Sequence, residues 1–305
     1  MQTILGAGGA IGTPLAKELI NYTSSIRLVS RNPVAVNPTD ELVSADLNNA
    51  TEVDKAVEGS SVVYLVAGLP YSTKIWQKQW PVVMQNVITS CKKYNAKLVF
   101  FDNIYMYDKN YISNATEETP TAPCSKKGVV RAEIAQMILD AIAKGELKAA
   151  IVRASDFLGP KNSVLVEMVY KNLKKGKKGN WMADANKIHS FTFTPDAAKA
   201  TALIGNTDTA YNQVWHAPTS SQKLTGKQWV ELFAKEMNVA PRYSVLPVAM
   251  MPVLGIFVPV LREFKEMAYQ YQLDYFFNSS KFEKEFGIQP TSPTDAVRWV
   301  INNVK

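Results

Sequence analysis

The chain has 305 residues, 47% of them hydrophobic and 20% charged, and carries a net charge of +7. That length and apolar content suit one large globular domain or two unequal lobes around a packed core. Five lysines between Lys171 and Lys178 supply most of the surplus charge; they read as a solvated helix end and loop, and with no aromatic-interleaved basic stripe the chain is not expected to bind nucleic acid.

Two cysteines, Cys91 and Cys124, form no close pair and no metal pattern, and the only histidines are His189 and His216. No metal is expected, and a reduced, cytoplasmic setting is. A strand is predicted to begin at residue 2, which leaves no room for a signal or transit peptide.

Gln2 to Leu5 reads as that strand, and from Ile11 the apolar residues Ile11, Leu15 and Leu19 recur at helical spacing. Between them lies Gly6-Ala7-Gly8-Gly9-Ala10-Ile11-Gly12. Strand, glycine turn and helix together are the context of a dinucleotide site. Gly6 lets the chain leave the strand in a tight turn, Gly8 or Gly9 lets backbone approach a pyrophosphate, and Gly12 lets the helix pack closely. The free amides and positive dipole end of the helix then face the phosphates.

Further strands are predicted at 26–30, 41–45, 61–67, 97–101 and 149–153, separated by helices near 50–58, 73–94 and 126–145. Alternation of this kind implies a parallel, doubly wound sheet. A helix near 163–175 ends in the lysine tract, and Phe191 to Thr194 reads as a strand. Thr194-Pro195-Asp196 opens another helix, with Asp196 supporting its start. A strand at 213–216 and helices near 224–237, 260–274 and 293–304 follow. The predicted architecture is a Rossmann-type α/β fold with a smaller, mainly helical C-terminal lobe. Residues 1–160 form the dinucleotide-binding core, with contributions from about 189–217, and 161–305 the substrate-binding lobe.

Val245 to Leu261 carries no charge over 17 residues but contains Pro247, Pro252 and Pro259. Three prolines break a regular helix, so this segment is expected to form an apolar pocket wall or a contact in a homodimer, and not to meet a membrane.

These motifs resemble the short-chain dehydrogenase/reductase superfamily in its extended and atypical branches, including the nucleotide-sugar epimerase/dehydratase type. Gly6, Gly9 and Gly12 match its glycine pattern. Asp46-Leu47 matches the pair that contacts adenine, and Val66-Ala67-Gly68 the small-residue segment beside the cofactor. Arg153 to Pro160 is similar to the segment after the sixth strand, and His189 to Ala200 to the aromatic strand and aspartate-led helix. The resemblance implies a cofactor set of Gly6, Gly8, Gly9, Ala10, Ile11, Gly12, Ser30, Arg31, Asp46, Leu47, Val66, Ala67, Gly68 and Ser155. It places Asp156, Phe157 and His189 beside a small-molecule substrate, although His189 also reads as a structural histidine. At the end of the second strand, Ser30-Arg31-Asn32 replaces the acid that would favour NAD; a hydroxyl and a guanidinium suit the 2′-phosphate of NADP, with NAD as the alternative.

The family's catalytic serine, tyrosine and lysine are absent when the chain is aligned on Met106-Tyr107-Asp108: the positions fall on Asn103, Ser125 and Val129. Asn103 is then the residue expected to polarise a substrate oxygen, and Tyr105 the proton relay. Lys126 and Lys127 open the next helix and would lower a phenol pKa if turned inward, although lysines usually face solvent. Asn103 as a turn former, Tyr107 as packing and Cys124 as a passive thiol are the plainer readings, and Arg131 either binds an acid or reaches solvent. Two functions stay open: an NADP(H)-dependent oxidoreductase or epimerase-like enzyme, and a nucleotide-binding sensor or scaffold that has lost catalysis.

Overall fold

Strands that are apolar on both faces must be covered on both faces. The computed structural model, which describes residues 1–256, 258 and 260–304, builds that arrangement. Its strands are β1 (Gln2–Leu5), β2 (Ile26–Ser30), β3 (Glu41–Ser44), β4 (Val62–Leu65), β5 (Lys97–Asp102), β6 (Ala149–Arg153), β7 (Asp156–Leu158), β8 (Gly179–Met182), β9 (Phe191–Phe193), β10 (Gln213–His216) and β11 (Tyr243–Leu246). Seven of them form one sheet in the order β10-β6-β5-β4-β1-β2-β3, and every pairing in it is parallel. β1, β4 and β6 are buried throughout, whereas β3 is largely exposed and ends the sheet.

The helices are α1 (Gly12–Leu19), α2 (Ala50–Val57), α3 (Thr73–Lys93), α4 (Lys126–Ala143), α5 (Lys171–Lys174), α6 (Thr194–Gly205), α7 (Gly226–Glu236), α8 (Met251–Leu254), α9 (Val260–Lys265), α10 (Tyr269–Gln272), α11 (Ser280–Phe286) and α12 (Pro293–Asn303). α1 and α6 pack together on one face, and α2, α3 and α4 cover the other. The strand order reverses between β1 and β4, and the crevice outside their carboxyl ends is where such sheets bind ligands.

The C-terminal lobe has its own aromatic core, including Tyr170, Trp181, Phe191, Trp229 and Phe233. Two short parallel ribbons, β7 with β9 and β8 with β11, frame it. Not every late segment belongs to this lobe: Phe282 and Phe286 of α11 pack with Trp215 against the first core.

Several late elements differ from expectation. β7, β8 and β11 carried no usable periodicity, because three or four residues give too few alternations, and α11, at seven residues, is under two helical turns. The helix predicted at 163–175 is present from 164 to 174, with π-helical hydrogen bonding over Val166–Tyr170 before α5. The predicted helix at 260–274 is split into α9 and α10. The apolar 245–261 segment does not form one continuous wall. Met251 is buried in the lobe core, while Val253, Ile256 and Val258 are exposed. Pairing with β8 takes its start, and Pro247 and Pro252 break the remainder into short turns; Pro259 lies outside the described residues. No helix among the described residues is long and apolar enough to cross a membrane.

Candidate functional site

Gly6 leaves β1 with φ +101°, and a Cβ there would lie 2.4 Å from the Ala67 Cα. The turn therefore needs glycine both for its backbone angle and for the close approach of Val66-Ala67. At Gly12 a Cβ would meet the Gly6 carbonyl oxygen at 2.6 Å, so α1 begins directly over the turn. Among the described residues, the amides of Ala10, Ile11 and Gly12 have no backbone or side-chain acceptor. A turn that is open at Gly8 and capped by free helix amides fits an anionic pyrophosphate. Ala10 and Ile11 are buried and anchor the turn from below, whereas Gly68 is exposed at its edge.

Lys161, which no sequence motif singled out, also reaches this place. Its Nζ donates to the Gly8 carbonyl at 2.8 Å. It brings a cation to the glycine turn, and its position just after Gly159-Pro160 was the available signal.

Ser30 ends β2, and the exposed Arg31 follows it with its carbonyl held by the Ser44 hydroxyl at 2.8 Å. The amide groups of Asn48 hold the Asp46 carboxyl below its usual range, with the Arg31 charge adding to the effect. Leu47 is half-buried, and its carbonyl accepts from Asn86 at 3.0 Å. Ser155 is turned inward: its hydroxyl lies 2.8 Å from that of Thr192, in a chain that continues to Thr219.

The turn after β5 carries the expected catalytic residues. Asn103 Oδ1 accepts from the Tyr105 amide at 3.0 Å, so Asn103 does form the turn. Half-buried Tyr105 stacks on Trp76, with ring centroids 6.2 Å apart and planes 14° from parallel. Removal from water pushes its phenol up, and the Asp156 carboxylate adds to this, while Arg131 pulls the other way. The phenols of Tyr71 and Tyr269 are likewise raised by burial, and neither hydroxyl has a hydrogen-bond partner among the described residues.

α4 comes hard against this turn. Ser125 caps it, accepting from the Gly128 amide at 3.0 Å, and Val129 is 53% exposed. Lys127 departs from the solvent-facing orientation lysines usually take. It is fully buried, with Nζ 4.6 Å from the centroid of the Tyr71 ring. It donates to Thr73 at 2.9 Å and pairs with Glu266 at 2.6 Å and with Glu263. Two carboxylates thus neutralise it, and Arg131 is the cation that acts on Tyr105. The signal was present: Lys127, Arg131, Ile134 and Ile138 share one helical stripe, and all are buried.

Arg131 is bound to an acid and does not reach solvent. It forms a buried ion pair with Asp102 and lies 4.6 Å over Trp80. Arg153 approaches the other Asp102 oxygen at 3.9 Å and donates to the Tyr107 hydroxyl at 3.0 Å. Tyr107 Oη lies 2.7 Å from Nε2 of His216, whose Nδ1 is 2.8 Å from the Asn278 carbonyl. Burial pushes the His216 pKa down to about 3.

Asp156 opens β7 beside Tyr105. Its Oδ2 receives the Tyr271 hydroxyl at 2.8 Å and lies 2.9 Å from His189 Nε2. His189 Nδ1 lies 3.2 Å from the Gln270 carbonyl, so both ring nitrogens face acceptors. Burial first, then Asp156, raises the Tyr271 and Tyr275 phenols. Phe157 packs against Phe101. Tyr271 also packs with Leu165, Met168, Trp181 and Phe191 around a small apolar gap of about 10 Å³. Two other residues serve the frame. Asp196 lies in the first turn of α6, as expected of an acid that supports the helix start, and also accepts from the Thr291 amide at 2.7 Å, tying α6 to the approach to α12. Tyr170 sits in the lobe core and donates to the Val304 carbonyl at 2.9 Å, while Lys174, one helical turn on, is exposed.

Solved structures of like architecture include DesIV, a dTDP-glucose 4,6-dehydratase from Streptomyces venezuelae with NAD and TYD bound. It is 16% identical, with a TM-score of 0.78 over 99% of this chain and 98% of that one. UDP-glucose 4-epimerase from Thermus thermophilus, complexed with NAD, is 16% identical, with a TM-score of 0.79 over 99% and 98%. Among curated relatives, 3beta-hydroxysteroid-dehydrogenase/decarboxylase isoform 1 of Arabidopsis thaliana is 25% identical, covering 65% of this chain and 50% of its own. A mouse sterol-4-alpha-carboxylate 3-dehydrogenase, decarboxylating, is 24% identical over 63% and 55%. The chain thus spans about half the length of these curated relatives. The family model for the NAD dependent epimerase/dehydratase family matches residues 3–214, and the chain belongs to that family.

Proposed function

We propose that the protein is an NADP(H)-dependent oxidoreductase or epimerase-like enzyme acting on a carbonyl or alcohol substrate. The observation that carries this reading is a half-buried phenol, Tyr105, set between a buried cation and a carboxylate at the carboxyl end of the sheet. Gly6 to Gly12 and Lys161 would hold the pyrophosphate, and Ser30 with Arg31 the 2′-phosphate. When bound, the nicotinamide supplies or accepts the hydride.

The protein's part is to orient the substrate oxygen and to move a proton. Asn103 Nδ2 has no acceptor among the described residues and would donate to that oxygen, while its Oδ1 keeps the turn closed. Burial keeps the Tyr105 phenol protonated while weakening it as an acid, and a phenol is still more acidic than an alcohol, so Tyr105 would give its proton to a substrate oxygen that gains alkoxide character. This role matches carbonyl reduction, in which the substrate oxygen takes up a proton. The steroid-dehydrogenase relatives support a substrate with an apolar body.

Tyr105→Phe tests the reading. NADPH oxidation against a panel of apolar ketones should fall by roughly a hundredfold or more, with NADPH affinity unchanged and tighter than NADH affinity. Turnover that survives the substitution would remove Tyr105 from the mechanism. A wild type that binds NADPH but reduces nothing would favour the sensor or scaffold.

A further inference from the structure

Independently of the catalytic reading, we infer that the strap joining β11 to α9 is a docking face for an anionic lipid bilayer. From Val245 to Leu261 no residue carries a charge. Val253, Ile256 and Val258 are 59%, 63% and 47% exposed, and Met250 on the preceding turn is 47% exposed. Isolated apolar side chains on a surface need no explanation, but four on one short strap do.

The charges around the strap are sorted by direction. α9 follows it immediately and carries Arg262, Glu263 and Lys265. Glu263 and the next acid, Glu266, turn inward to the buried Lys127. Arg262 and Lys265 remain exposed. The neighbouring elements add cations in the same sense. Thr73, which donates to Glu263 at 2.8 Å, is followed by exposed Lys74. The amide of exposed Lys126 donates to Glu266 at 2.9 Å.

The result is an apolar strap bordered by outward cations, with the local acids withdrawn into the protein. That is the pattern of a surface that inserts shallowly among lipid tails while its rim meets anionic headgroups. Pro247 and Pro252 keep the strap in short turns, so it lies on the bilayer and does not span it. The same elements, α3, α4 and α9, enclose the buried Lys127, so docking would turn that side of the molecule toward the lipid.

The test is flotation of the full chain with vesicles of phosphatidylcholine alone or with phosphatidylserine, at low and high salt. Binding is expected on the phosphatidylserine vesicles at low salt. The double variant Val253→Glu/Ile256→Glu should weaken it roughly tenfold or more, with thermal stability unchanged because both side chains are exposed. Neutralising Lys171, Lys174 and Lys175 of the lysine tract, which leads into β8 and is not among the cations around α9, should change it little. Absence of wild-type binding would overturn the proposal. So would binding that ignores the strap variant and follows the lysine tract. A variant whose only effect is a changed molar mass in sedimentation would assign the strap to a second copy of the chain instead.

Discussion

Asp102 is the residue on which the floor of the site depends. It is buried between Arg131 and Arg153, and both guanidinium groups are almost fully withdrawn from water. Removing one partner from a buried ion network leaves charge uncompensated, which costs about 3–5 kcal/mol. Asp102→Asn is therefore expected to lower unfolding stability by about that amount, measured by urea denaturation. His216 makes a different contribution. Its pKa is about 3 in the fold, against 6.5 when unfolded, so between those values the unfolded chain binds the extra proton. Its stabilisation is complete above pH 6.5 and is lost as pH falls toward 3, at up to about 1.4 kcal/mol per pH unit. Melting temperature followed across that window should fall less steeply in His216→Gln than in the wild type. A parallel slope would mean that other groups govern acid stability.

At the scale of elements, the union of the β5 turn with α4 decides where Tyr105 stands. A Cβ on Gly128 would lie 2.3 Å from the Tyr105 carbonyl oxygen and 2.9 Å from Pro123 Cβ. Gly128→Ala should push α4 away from the turn, and overpacking of this kind costs about 1–3 kcal/mol, partly offset by the better helix propensity of alanine. Turnover should drop more than NADPH affinity, because the glycine turn between β1 and α1 is untouched; steady-state kinetics and a binding titration separate the two. The cap at Ser125 came only with the structure. The sequence showed α4 and the residues of the β5 turn, because helical periodicity and turn signals are local. It did not show that α4 starts against the backbone of Tyr105, since that contact joins segments with no shared pattern.

Across the whole molecule, Lys127 ties α4 and α3 to α9 through Thr73, Glu263 and Glu266. The double variant Glu263→Gln/Glu266→Gln leaves that buried ammonium without its two carboxylates. Stability should fall by about 3 kcal/mol, with proteolysis opening first near α9. If stability is unchanged, Lys127 has found solvent or another acceptor.

The sequence by itself determined the sheet, the glycine turn and the dinucleotide cradle, because each is written in consecutive residues: apolar strands, a turn only glycine permits, a helix stripe. The strands from Gln2–Leu5 to Ala149–Arg153 appear within a few residues of where periodicity put them. What tertiary structure alone decided was which charges meet. Arg131 pairs with Asp102 across 29 positions, Lys127 with Glu263 across 136, and Asp156 with His189 across 33. An ion pair depends on distance in space, and no local pattern encodes a partner that far along the chain. The exposed strap belongs to the same class. Its lack of charge was legible, but whether its side chains face a core or water was settled only by what the fold left uncovered.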